Sequence, residues 1–328
     1  MSSTAQHALV SLDTIREAQH RLRGVTLRTP LVRIETEALA APLFLKAESL
    51  QPIGSFKLRG AYNKISQLSR EQLDRGVIAY SSGNHAQGVA YSARALGARA
   101  TITMPSNTPP VKQAATRALG AEVVITKPGS IDRRVVAERL AGEHGYTIIP
   151  PYDDAQIIAG QGTCGLEILE DMSDVDLVLV PVSGGGLISG VAAAIKHQRP
   201  EVRVIGVEPE LAADAAASFH AGHIVSYTGE ETSRTIADGL RTQQVGDLNW
   251  QHIRTFVDDI ITVTEADIRA TVRAILLSGR LVAEPSGAVA PAAALFHGQR
   301  LPAHSKAVAI VSGGNIEPSM LREIMGVI

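Results

Sequence analysis

Short apolar runs alternate with stretches of helical spacing along most of this chain. Ile15, Ala18 and Leu22 repeat on one helix face, and a strand-like run at 43–47 follows. Ser55 stands where it can cap a helix carrying Leu58, Ala61, Tyr62 and Ile65. Beyond it the runs 77–80, 100–104, 122–125 and 146–149 are separated by helical stretches at 86–96, 111–119 and 131–143, which predicts a parallel β-α-β-α unit. A second series places a helix at 161–172, a strand at 176–182, a helix at 187–197 and a strand at 202–208. It resumes with a strand at 260–263, helices at 265–277 and 286–297, and a strand at 306–311. Between 209 and 259 the periodicity is weak and predicts no firm element. The expected class is α/β: two open, twisted, mostly parallel sheets flanked by helices, with a smaller domain at 72–146 and a larger one built from 1–71 and 147–328.

In open parallel sheets, ligand groups gather beyond the carboxyl ends of strands. The stretches 81–85, 183–186 and 312–315, and Glu208, all directly follow predicted strands, which points to one cleft. Composition narrows what that cleft can serve. With 328 residues, 45% apolar, the chain can bury a full-sized core, and its formal charge of −2 comes without a basic block. Nucleic acid and anionic membranes are therefore not expected partners. No apolar run approaches the roughly 20 residues of a membrane span, and the first ten residues have no basic start followed by an apolar core. Cys164 is the single cysteine, so no internal disulfide or cysteine-rich metal site is expected, and the cytoplasm is the expected location.

Two features carry chemistry. Lys57 lies in Gly54-Ser55-Phe56-Lys57-Leu58-Arg59-Gly60 and offers an amine for a Schiff base, although most lysines are solvated surface charges. Ser183-Gly184-Gly185-Gly186-Leu187 lies between a buried-type strand and a helix, a geometry that aims free N–H groups and roughly +0.5 charge at an anion. A plain tight turn is the alternative. The run lacks the spacing of a dinucleotide fingerprint and the Gly-Lys-Ser/Thr ending of a P-loop. A cofactor with both an aldehyde and a phosphate would use both features.

These motifs, together with Ser81-Ser82-Gly83-Asn84-His85-Ala86-Gln87-Gly88, Ala159-Gly160-Gln161-Gly162-Thr163, Ile236-Ala237-Asp238-Gly239 and Ser312-Gly313-Gly314-Asn315, make the chain resemble the serine/threonine dehydratase and serine racemase family of pyridoxal-phosphate enzymes. The resemblance spans nearly the whole chain and implies the fold-type II architecture shared with the tryptophan synthase β subunit. It implies that Lys57 is the Schiff-base lysine, that Phe56 packs on the cofactor ring, that Asn84 meets its phenolic oxygen, and that Gly239 lies on the opposite side. It further implies that Gly184, Gly185 and Gly186 hold the phosphate with Ser183 and Leu187, Ser183 replacing a glycine often seen there. Ser312 would face the pyridine nitrogen. A hydroxyl leaves that nitrogen neutral where an aspartate would keep it protonated, which favours prompt loss of a β-substituent over transamination.

The implied reaction is α-proton abstraction by Lys57 and β-elimination, turning L-threonine or L-serine into 2-oxobutanoate or pyruvate and ammonia. A serine racemase, or a 3-hydroxyaspartate dehydratase or racemase using the same site, is the alternative. Ser81, Ser82, Gly83 and His85 would receive the substrate carboxylate at a helix start. Ser82 also matches the racemases' second proton donor, a loop serine being the plainer reading. Arg133 and Thr242 align with further carboxylate contacts, though Arg133 also reads as an ordinary helix charge. Glu208, the Ala212 carbonyl and Asp214 match a divalent-cation site for Mg²⁺ or Ca²⁺, with Mn²⁺ as a further option; alone they read as solvated charges. A homodimer is implied. Because the chain ends at Ile328, soon after the 312–315 loop, no carboxyl-terminal effector domain is expected.

Overall fold

The computed structural model describes residues 9–35, 39, 41–126 and 133–326. Its ten strands are β1 (Leu31–Ile34), β2 (Leu43–Lys46), β3 (Val77–Tyr80), β4 (Ala100–Pro105), β5 (Glu122–Thr126), β6 (Thr147–Ile148), β7 (Leu177–Pro181), β8 (Arg203–Pro209), β9 (Asp259–Val263) and β10 (Ala307–Ile310). They form a six-stranded sheet in the order β1-β2-β10-β7-β8-β9 and a four-stranded sheet in the order β5-β4-β3-β6. Every pairing is parallel except β1 with β2.

The large sheet is buried on both faces, which explains its unbroken apolar strands. Leu177, Leu179, Ala307 and Ala309 enter one core with Val272, Ile275 and Val289 from the helices Glu265–Gly279 and Pro285–Phe296. Their neighbours Val178, Val180, Val308 and Ile310 point the other way, onto Ile168, Ile188, Val191 and Ile253. In the small sheet Val77, Ala79, Ile102 and Met104 pack with Ile65, Ala86, Val89 and Ala93. The helix Lys57–Ile65 therefore serves both bodies.

Local expectations differ from the fold in several places. Ser55 caps no helix: it forms an isolated antiparallel bridge with Gly313, and Lys57–Ile65 starts after Phe56 without a side-chain cap. The small sheet runs past residue 146, because β6 pairs with β3. Of the helix expected at 131–143, residues 131–132 lie outside the described residues and the rest forms Arg133–His144. The stretch between 209 and 259 holds the helices Asp214–Ala221, Gly229–Thr232 and Asp247–Phe256. The last owes its start to a distant residue, since Asp153 accepts from the backbone N–H groups of Asp247, Leu248 and Asn249 at 2.9–3.3 Å. No described helix is long and apolar enough to cross a membrane.

Candidate active site

The segment leading to Lys57 is laid onto the end of β10. Phe56 N donates to Ser312 O at 3.1 Å and Gly314 N to Gly54 O at 2.9 Å. Lys57 then opens its helix, part-buried, with Nζ donating to Pro151 O at 2.7 Å and lying 5.1 Å from the Phe56 ring centroid. Burial lowers its pKa to about 8. A lysine so placed holds a substantial neutral fraction near neutral pH, as a nucleophile or base requires.

The helix after β3 packs against Lys57: a Cβ at Gly88 would stand 3.2 Å from Lys57 O, and the Lys57 charge acts on His85. Ser81 Oγ accepts from Gly83 N at 3.3 Å, Ser82 is part-buried, and Gly83 precedes the helix Asn84–Ala95. His85 Nε2 is 2.9 Å from Ile149 O, and burial together with the Lys57 charge lowers its pKa to about 3. His85 is thus a neutral imidazole donating to a backbone carbonyl. Asn84 Nδ2 donates to Glu284 Oε1 at 2.5 Å, and Asn84 Oδ1 accepts from Asn315 Nδ2 at 2.7 Å. Burial and the nearby Asp238 raise the Glu284 pKa to about 7. Glu284 escapes sequence reading, since it meets Asn84 across 200 residues.

The glycine turn follows β7. Gly185 takes φ +93° and precedes the helix Gly186–Lys196, whose first N–H groups have no partners within the helix. Gly184 O is held from behind by Asn249 Nδ2 at 2.7 Å and Gly246 N at 3.1 Å, so the turn has one fixed orientation. Ser183 Oγ lies 2.9 Å from Thr242 Oγ1, and Leu187 is buried beneath. Gly239 and Ser312 share a neighbour: Gly239 N donates to Ser286 Oγ at 2.9 Å, and the buried Ser312 hydroxyl is 3.4 Å from Ser286 O. Arg133 stands apart. It is exposed, its carbonyl accepts from Thr103 Oγ1 at 3.0 Å, and no hydrogen bond or ion pair among the described residues joins it to this group. Its neighbour Arg134 has electrostatic contact with Tyr80 and Tyr152 at the cleft and pairs with Glu138 at 2.8 Å.

Glu208, near the end of β8, and Asp214, beyond it, are buried together. Glu208 accepts from Ala216 N at 2.7 Å and Ala215 N at 3.3 Å, while neither oxygen of the Asp214 carboxylate has a partner. Burial raises both pKa values, that of Asp214 to about 7, and the Asp214 charge adds to the rise at Glu208. Ala212 lies buried between them in sequence. Among the described residues no group of three or more His, Cys, Asp or Glu side chains gathers as a metal site.

The residues fit pyridoxal phosphate. A lysine of lowered pKa offers the amine, and a glycine turn at a helix amino terminus offers N–H groups to an anion. Pro151 and Tyr152, consecutive in the chain, touch Lys57 and Gly184 respectively. Known proteins agree. The family model described as pyridoxal-phosphate dependent enzyme matches residues 22–313. The catabolic L-threonine dehydratase TdcB of Escherichia coli (strain K12) is 43% identical over 321 residues, covering 97% of this chain and 96% of its own length. Among solved structures, a threonine deaminase of T.th. superposes with a TM-score of 0.87 at 43% identity, covering 94% of this chain and 99% of that one. Maize serine racemase does so with 0.91 at 38%, covering 97% and 98%. The chain belongs to the pyridoxal-phosphate dependent enzyme family.

Proposed function

We propose that this chain is a pyridoxal-phosphate-dependent ammonia-lyase that converts L-threonine and L-serine to 2-oxobutanoate and pyruvate, releasing ammonia. The observation that carries the reading is the Lys57 amine, its pKa lowered to about 8, one residue removed through Pro151 and Tyr152 from the glycine turn. When bound, pyridoxal phosphate supplies the electron sink for charge left at the substrate α-carbon. Lys57 holds the cofactor and, once free, accepts the α-proton, its neutral form favoured by burial. The turn 183–187 presents N–H groups to the phosphate, and Phe56, Asn84, Gly239 and Ser312 hold the ring. The Ser81–Gly83 loop and the start of Asn84–Ala95, with His85 bracing it through Ile149, receive the substrate carboxylate. Ser312 offers a hydroxyl and no charge, which supports elimination. Water lost from the substrate is returned by hydrolysis, so the net reaction is deamination.

Ser82 supports racemisation as a second activity, because it sits part-buried in the loop after β3, just before the helix whose His85 feels the Lys57 charge, and a donor on each face is what inversion needs. Glu208, the Ala212 carbonyl and Asp214 hold a divalent cation of the Mg²⁺ or Ca²⁺ class, supported by the two unpartnered Asp214 oxygens. Thr242 contributes beside Ser183, while Arg133, exposed and unconnected to this group among the described residues, is given no part in substrate binding. The working form is a cytoplasmic homodimer. The test is to incubate the purified protein with L-threonine, L- and D-serine and the 3-hydroxyaspartate stereoisomers, measuring oxo acid and enantiomer composition. Rapid 2-oxobutanoate formation is expected; enantiomer exchange without oxo acid would overturn the lyase reading. Ser82→Ala should remove enantiomer exchange while sparing elimination.

A further inference from the structure

The segment joining the two sheets touches the site at every step. Ile149 O is held by His85, Pro151 O by Lys57, and the carboxylate of Asp153 by three N–H groups of Asp247–Phe256. Asp154 caps Ala155–Asp171 and pairs with Lys64 at 2.7 Å. Tyr152, in the middle, lies against the glycine turn itself. A Cβ at Gly184 would stand 2.4 Å from Cδ1 and Cε1 of its ring, and a Cβ at Gly186 would stand 2.9 Å from its Cβ. Such approaches leave no room for any side chain at 184 unless the ring moves. The two glycines are therefore needed for more than backbone freedom: Gly184 admits the Tyr152 ring, and Gly186 its Cβ and backbone.

We propose that Tyr152 is a positioning residue whose ring clamps the turn 184–186 in the orientation that receives the cofactor phosphate, on the reading of that turn given above. One side of the turn is fixed by Asn249 and Gly246 on Gly184 O, and Tyr152 fixes the other. Without the ring the turn would relax toward the vacated space and its N–H groups would lose their common aim. Burial and the neighbouring Tyr80 push the phenol pKa up to about 12, so the ring stays neutral and sets no charge against an anion. Because Pro151 is the acceptor for Lys57, the same clamp ties the aldehyde end of the cofactor to its phosphate end.

The test compares binding of pyridoxal phosphate and of pyridoxal, which lacks the phosphate, to apoprotein prepared from the full chain, for wild type, Tyr152→Ala and Tyr152→Leu. Wild type should prefer pyridoxal phosphate strongly, and Tyr152→Ala should lose about tenfold or more of that preference while pyridoxal binding changes little. Tyr152→Leu, which keeps apolar bulk, carries the same comparison if the alanine variant does not fold, and should lose a smaller part. Equal binding of the two ligands by wild type would overturn the phosphate-turn reading itself. An undiminished preference in the folded variants would overturn the clamp alone and leave that reading standing. The pair adds a second arm: Gly184→Ala should weaken pyridoxal phosphate binding, and adding Tyr152→Ala should restore part of it by removing the clash. Simple additivity of the two losses would contradict the proposal.

Discussion

Lys57 decides the chemistry through its surroundings more than through its identity. An ordinary lysine amine is charged until about 10.5, but burial brings this one to about 8. Only the neutral amine attacks an aldehyde, and the neutral fraction grows as pH rises through the pKa. Covalent uptake of pyridoxal phosphate by the apoprotein should therefore accelerate with pH and level off above about 8, followed by the growth of visible absorbance. A profile still climbing toward 10.5 would mean that the amine is solvated. At this scale the sequence was informative where a motif is contiguous: Lys57, the turn 183–187 and the polar loops after β3 and β10 are each a short run at the end of a strand or the start of a helix. Glu284 and Tyr152 were illegible because each acts on a partner far along the chain, Asn84 and Gly184.

At the level of elements, the helix Lys57–Ile65 is pinned by its own third residue. Arg59 is fully buried and donates to Glu48 at 2.8 Å, to Glu167 at 2.7 and 2.8 Å, and to Thr163 at 3.0 Å, while Lys46 meets Glu167 at 2.6 Å. Removing one member of such a cluster leaves the others charged and unpaired in low dielectric. Arg59→Met should cost roughly 3–5 kcal/mol in urea unfolding, because it removes the ion-pair partner of buried Glu48 and leaves Glu167 with Lys46 alone. A loss below about 1 kcal/mol would mean that the cluster is solvated in practice. The same contrast between local and distant explains what periodicity could reveal. Strands β7 and β10, buried on both faces, announce themselves as apolar runs. The edge strand β1 is only partly buried, and Asp247–Phe256 depends on the cap from Asp153, so neither leaves a local signature.

Over the whole molecule, two sheets are linked by the helix Lys57–Ile65 and the segment 149–154. The two mostly parallel sheets were legible from alternation alone; contacts such as Asn84 with Glu284 were not, because the partners lie 200 residues apart. The proposed cation at Glu208 and Asp214 makes a prediction about global stability. Binding to the native state alone adds about 2.7 kcal/mol at a hundred times the Kd. Chelation should lower the Tm of the holoenzyme, and Mg²⁺ or Ca²⁺ should restore it; an unchanged Tm would contradict the site. The most direct measurement of the central claim is borohydride reduction of the protein loaded with pyridoxal phosphate, followed by peptide mass mapping. The account predicts one modified residue, Lys57, and none in Lys57→Ala; a tag on another lysine, or no tag at all, would contradict it.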